Sequence, residues 1–152
     1  WNADTTRMPA KMHSQYLRRL FLNDDLSEGH YPVRGKPVSL GGITLPTFMV
    51  GTVTDHVAPW RSVFKLHLMS PAEITFALTS GGHNAGIVNP PGNPRRHYQL
   101  LTRAAPEAQG SWWPAWLAWL QARSGAPVKP PRTGASAYKP VCDAPGRYVL
   151  EK

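Results

Sequence analysis

Leu45-Pro46-Thr47-Phe48-Met49-Val50-Gly51 and Glu73-Ile74-Thr75-Phe76-Ala77-Leu78-Thr79-Ser80-Gly81-Gly82-His83 are the two stretches whose reading decides the fold. Each is a short, β-rich apolar run closed by glycine. The first is apolar on consecutive positions rather than alternate ones, the pattern of a central parallel strand covered on both faces. Between the two runs lies a polar loop, 52–59. After it come Trp60, Val63, Phe64 and Leu68, spaced as one face of an amphipathic helix. Strand, helix, strand is the rhythm of a βαβ unit, so an α/β fold with parallel strands is expected.

Upstream, Met12, Tyr16, Leu17, Leu20 and Phe21 share one face at helical spacing, with Arg18 and Arg19 opposite. This predicts a helix over 12–22, ended by Asn23-Asp24-Asp25. Residues 28–45 hold Gly29, Pro32, Gly35, Pro37, Gly41 and Gly42 and read as short strands or turns around Val33 and Val38. Downstream, Asn89-Pro90-Pro91-Gly92 is a loop. Ser111 precedes an aromatic helix carrying Trp112, Trp113, Trp116, Trp119 and Leu120, with Pro114 tolerated in its first turn. From Ser124 the chain is rich in Gly, Pro and Ala and is expected to run extended along the surface as a basic tail.

At 152 residues the chain has the size of one domain. Its opening, Trp1 to Thr6, carries no targeting signal and reads as the start of a piece cut from something longer. No apolar run approaches the roughly 18 residues of a membrane span, so a soluble chain is expected. One cysteine, Cys142, excludes an internal disulfide. The formal net charge of +8 favours anionic partners. However, the basic residues are spread out, and neither a zinc-ligand spacing nor a basic-aromatic RNA motif accompanies them. Nucleic acid is therefore not an expected partner, nor a metal an expected cofactor.

Open α/β sheets place working residues just past the carboxyl ends of their strands. Asp55 follows the first strand and His83 the second, behind Gly81-Gly82, which lets the backbone turn sharply. An acid–base pair is one reading: Asp55 accepts from one ring nitrogen of His83, and the other nitrogen deprotonates a nucleophile. A turn-forming aspartate and a structural histidine are the alternative. The order acid-then-histidine matches the last two terms of the α/β-hydrolase triad, but no G-x-S-x-G or G-x-C-x-G elbow occurs. Cys142 has no flanking glycines and lies in the tail, a poor position for a nucleophile. His56 either assists proton transfer or stabilises its loop. Trp60 and the tryptophan stripe read first as packing. Arg95 and Arg96 either meet anionic phosphates or form a solvated basic loop.

Six segments, in order along the chain, resemble the C-terminal part of polyhydroxyalkanoate synthases, most like the class I enzymes. They are Trp1–Thr6, Tyr16-Leu17-Arg18, Asp55-His56-Val57-Ala58-Pro59-Trp60, Gly82-His83-Asn84-Ala85-Gly86-Ile87-Val88-Asn89-Pro90-Pro91, Gly110-Ser111-Trp112-Trp113-Pro114 and Ala144-Pro145-Gly146-Arg147-Tyr148-Val149. The resemblance implies the C-terminal portion of an α/β-hydrolase fold. Residues 1–42 would be the end of a cap region, 43–123 the returning core, and 124–152 the tail. It also implies an acyltransferase that polymerises (R)-3-hydroxyacyl-CoA into polyester through a Cys-His-Asp triad, with Asp55 as acid, His83 as base and the cysteine outside this chain. No cofactor beyond the acyl-CoA substrate is implied. The implied partners are the growing polyester, the granule surface in the cytoplasm, the rest of the same enzyme and a second copy in a homodimer.

The sequence departs from the family pattern at three places beside the triad. Val53-Thr54 stand where a charged pair is usual, Gly81 where serine is usual, and Asn84 where an apolar residue is common. Two rival functions are an α/β-hydrolase esterase or polyester depolymerase, and a non-catalytic basic module that coats granules.

Overall fold

The two apolar runs do lie side by side. In the computed structural model, which describes residues 7–101, 107–131, 134–139, 141–143 and 146–147, β3 (Thr47–Thr52) pairs in parallel with β4 (Ile74–Thr79), in register from Thr47 opposite Ile74 to Thr52 opposite Thr79. The sheet then turns antiparallel. β5 (His97–Leu101) pairs with β4, and β6 (Glu107–Gln109) with β5, giving the order β3-β4-β5-β6. The expectation of parallel strands therefore holds for one pair, and the architecture is a mixed α/β one.

β3 also differs from the central strand expected: among the described residues it is an edge strand. Its apolar character comes from its faces rather than from flanking strands. On one face Gly51 meets α2 (Trp60–Phe64), where a side chain would come within 3.0 Å of the Trp60 Cβ and 2.7 Å of the Phe76 ring. Phe64 packs edge-on against the fully buried Phe76, ring centroids 5.2 Å apart. On the other face Phe48 stacks on Trp112 at 6.1 Å and meets Trp119 edge-on at 5.6 Å, which brings in α4 (Trp113–Gln121). Consecutive side chains of a strand point to opposite faces, so a strand between two helical layers is apolar throughout wherever it sits in the order.

The single helix expected after the polar loop is two short ones, α2 and α3 (Leu66–Met69), with Lys65 between them. That break shifts the helical phase. Leu68, expected on the buried face, is 86% exposed. The first helix is present as α1 (Ala10–Tyr16) running into a π-helical segment, Leu17–Leu22, and it ends at Asn23. The turns around Val33 and Val38 form a separate hairpin, β1 (Tyr31–Val33) with β2 (Lys36–Val38). The described residues beyond Ser124 contain no helix, as their composition predicts. No helix among the described residues is long and apolar enough to cross a membrane. The resembling segment 1–6, and all of 144–149 except Gly146 and Arg147, lie outside the described residues.

Candidate active site

The parallel pairing brings the carboxyl ends of β3 and β4 to one edge, and the loops leaving them are laced together. Val53 N–H donates to Thr79 O at 3.0 Å and Thr54 N–H to Gly81 O at 3.2 Å, so the backbone before Asp55 continues the ladder toward the backbone before His83. At Gly81 φ is +109°, a conformation L side chains rarely adopt, and the chain turns there. The result is contact. The His83 Nδ1 lies 3.0 Å from Asp55 Oδ2 and 3.2 Å from Oδ1.

The aspartate is held on both sides. Its Oδ1 accepts from the backbone N–H groups of Val57 and Ala58, each at 2.8 Å. Its side chain is only 6% exposed, against 46% for His83. The Ala58 N–H is the largest influence on its acidity. Covering of the carboxylate works the other way, and the His83 and Val57 contacts add to the lowering. The net effect moves Asp55 from 3.8 down to about 2. An ionised carboxylate only accepts hydrogen bonds, so Nδ1 of His83 must be the donor. That assigns the proton to Nδ1 and leaves the Nε2 lone pair available on a half-exposed ring. A ring held this way can act chemically as an oriented general base.

Loop 82–89 is compact. Gly86 N–H donates to Gly82 O at 2.9 Å, while Ile87 and Val88 N–H groups donate to Asn84 O at 3.1 and 2.8 Å. Gly86 sits hard against the end of β3, since a Cβ there would collide with Thr52 Cγ2. The buried Asn89 closes the loop, donating to Thr79 Oγ1 at 3.4 Å and accepting from the Ser111 hydroxyl.

Of the other residues considered, His56 is exposed and, among the described residues, bonds to neither member of the pair. Trp60 packs edge-on to Phe64 at 6.4 Å and under the Arg61 guanidinium, as expected for packing. Arg95 is exposed, but Arg96 is no solvated loop residue: it is half-buried, and its Nη1 donates to Ser80 O at 3.4 Å. Cys142 is free and exposed in the tail. Among the described residues no group of three His, Cys, Asp or Glu is placed to hold a metal. Sequence reasoning missed the two indole donors on loop 82–89. Trp112 Nε1–H reaches Gly86 O and Trp113 Nε1–H reaches Ile87 O, both at 3.1 Å. Helical spacing signals a face, not a hydrogen bond, so no sequence pattern pointed to them.

Comparison with known proteins places this geometry in context. No family model matches the chain. Curated relatives do. The chain is 38% identical over 164 aligned positions to poly(3-hydroxyalkanoate) polymerase 2 of Ectopseudomonas oleovorans, covering 100% of this chain and 29% of the relative. It is 40% identical over 161 positions to the poly(3-hydroxyalkanoate) polymerase subunit PhaC of Rhizobium meliloti, covering 98% and 26%. It is 37% identical over 164 positions to that of Cupriavidus necator, covering 100% and 28%. The chain thus spans less than a third of the length of the curated relatives it matches.

Proposed function

We propose that this chain, similar from end to end to part of the poly(3-hydroxyalkanoate) polymerases, is the C-terminal part of a polyhydroxyalkanoate synthase and carries the acid and base of its catalytic triad. The observation that carries the reading is the Asp55–His83 contact at the carboxyl ends of two parallel strands. The fold in this reading is the returning half of an α/β-hydrolase. It begins near Ile43, after a cap remnant that includes the β1–β2 hairpin, and further strands add to the free edge of β3.

The chemistry follows from the pair. His83 Nε2 takes the proton of a cysteine thiol supplied by residues other than these 152, and Asp55 stabilises the imidazolium that results. The thiolate attacks the thioester carbonyl of a 3-hydroxyacyl-CoA. The carbon–sulfur bond to CoA breaks, and CoA leaves with the imidazolium proton. His83 then deprotonates the hydroxyl of another acyl unit. That oxygen attacks the enzyme-bound acyl carbon, forming one ester bond as the carbon–sulfur bond to the cysteine breaks, and the imidazolium proton returns to the cysteine sulfur. The net charge of +8 suits an anionic CoA thioester. The product is a polyester, so the site of action is a granule surface in the cytoplasm.

The test is to expose the full-length protein to 3-hydroxybutyryl-CoA, quench it and map the acyl adduct by mass spectrometry. An adduct on a cysteine other than Cys142 is expected. An adduct on a serine would favour the hydrolase reading, and one on Cys142 would overturn the assignment of the nucleophile.

A further inference from the structure

His83 lies on a loop that two adjacent tryptophans at the start of α4 grip from outside. Trp112 is buried, with 6% of its surface exposed, and its indole N–H ends on Gly86 O. Trp113 is half-buried, and its indole N–H ends on Ile87 O. These are consecutive carbonyls of the loop that returns its own N–H groups to Gly82 O and Asn84 O, the carbonyls on either side of His83. Ser111, the residue before them, hooks the far end of the loop through Asn89 O and accepts the Trp113 backbone N–H at 3.1 Å.

Three consecutive side chains thus hold the loop at three points. Packing alone does not need this arrangement. A phenylalanine fills much the same apolar space, whereas only an indole of this size carries an N–H donor at its edge. The grip also presses Gly86 onto Thr52, three residues before Asp55, so it holds the histidine loop against the strand that delivers the acid.

We propose that Trp112 and Trp113 are positioning residues: their two indole N–H groups fix loop 82–89 so that the His83 imidazole meets Asp55 in the productive orientation. The consequence for turnover rests on the reading of His83 as the base. The consequence for the imidazole itself does not.

The experiment uses the full-length protein with the double change Trp112→Phe and Trp113→Phe, which keeps the rings and removes both donors. Trp116→Phe, one turn further along α4, controls for a general loss of helix packing. Nitrogen-15 histidine spectra report the hydrogen-bonded Nδ1–H of His83 directly. CoA release from 3-hydroxybutyryl-CoA gives kcat and KM.

The expected result is a displaced or broadened His83 Nδ1–H signal in the double variant. With it, kcat should fall about tenfold or more while KM stays unchanged, because misplacing a reacting group by an ångström costs rate rather than binding. Trp116→Phe should leave both readouts near wild type. A folded double variant with an unaltered His83 signal would overturn the proposal. Should the double variant melt below the assay temperature, Trp113→Phe alone carries the same test with the same two outcomes. His83→Ala, run alongside, separates the two readings. If it keeps turnover, the catalytic reading fails, and the Nδ1–H signal still decides whether the indoles position the ring.

Discussion

Asp55 and His83, 28 residues apart in the chain, meet through Oδ2 and Nδ1 at 3.0 Å, and the aspartate is also anchored by its own loop. Two backbone N–H groups, of Val57 and Ala58, hold Oδ1, which leaves Oδ2 turned to the imidazole. Orientation of the carboxylate is therefore built into the turn after β3 and does not depend on the histidine to organise it.

Asp55 should titrate far below an ordinary carboxyl. Its pKa is depressed to about 2, so the native state binds this proton less tightly than the unfolded state does. The stability it contributes is full above 3.8 and is lost as pH falls through about 2. Acid unfolding of wild type and Asp55→Asn should differ above about pH 4, and the gap should close toward pH 2. Carbon-13 NMR of the Asp55 carboxyl checks the value directly; a midpoint near 4 would show that the Val57 and Ala58 contacts are not formed in solution.

Two substitutions separate the core from the site. Phe76→Ala empties a fully buried position between α2 and the sheet and should cost about 3–5 kcal/mol in chemical denaturation. Gly86→Ala places a methyl against Thr52 and Gly82 O and should cost about 1–3 kcal/mol by overpacking. Unlike Phe76→Ala, it should also displace the His83 imidazole signal, because it lifts the histidine loop off β3. Equal and negligible effects on that signal would contradict the close approach.

Much of this was readable from residue patterns, and the gaps have physical reasons. β3 and β4 are visible because Thr47–Thr52 and Ile74–Thr79 are short β-rich runs with buried residues on both faces. β5 and β6 were not anticipated. His97-Tyr98-Gln99-Leu100-Leu101 does not alternate, and Glu107-Ala108-Gln109 is short and poor in β formers. Antiparallel pairing through the backbone carries both, and side-chain patterns report that weakly. The meeting of Asp55 with His83 was legible because strand-end position is itself a sequence feature. The tryptophan donors were not, since a stripe of Trp112, Trp113, Trp116 and Trp119 reads identically whether its N–H groups meet solvent or a carbonyl.

The 152-residue chain alone should release no CoA from 3-hydroxybutyryl-CoA above buffer. Cys142, its one thiol, is exposed in the tail and lacks the glycine-flanked elbow that presents a nucleophile. Thiol titration checks this. Release that disappears in Cys142→Ala would make Cys142 the nucleophile, and release that survives there but is lost in His83→Ala would point to activated water and a hydrolase.

The central claim, that Asp55 and His83 are the acid and base of an acyl transferase, is tested most directly by the rate of CoA release in the full-length protein. We predict that His83→Ala and Asp55→Asn each lower kcat by on the order of 10³-fold or more, the usual scale for loss of a triad base or its orienting carboxylate. Both variants should still bind the substrate. Turnover within a few-fold of wild type in a folded His83→Ala variant would contradict the account.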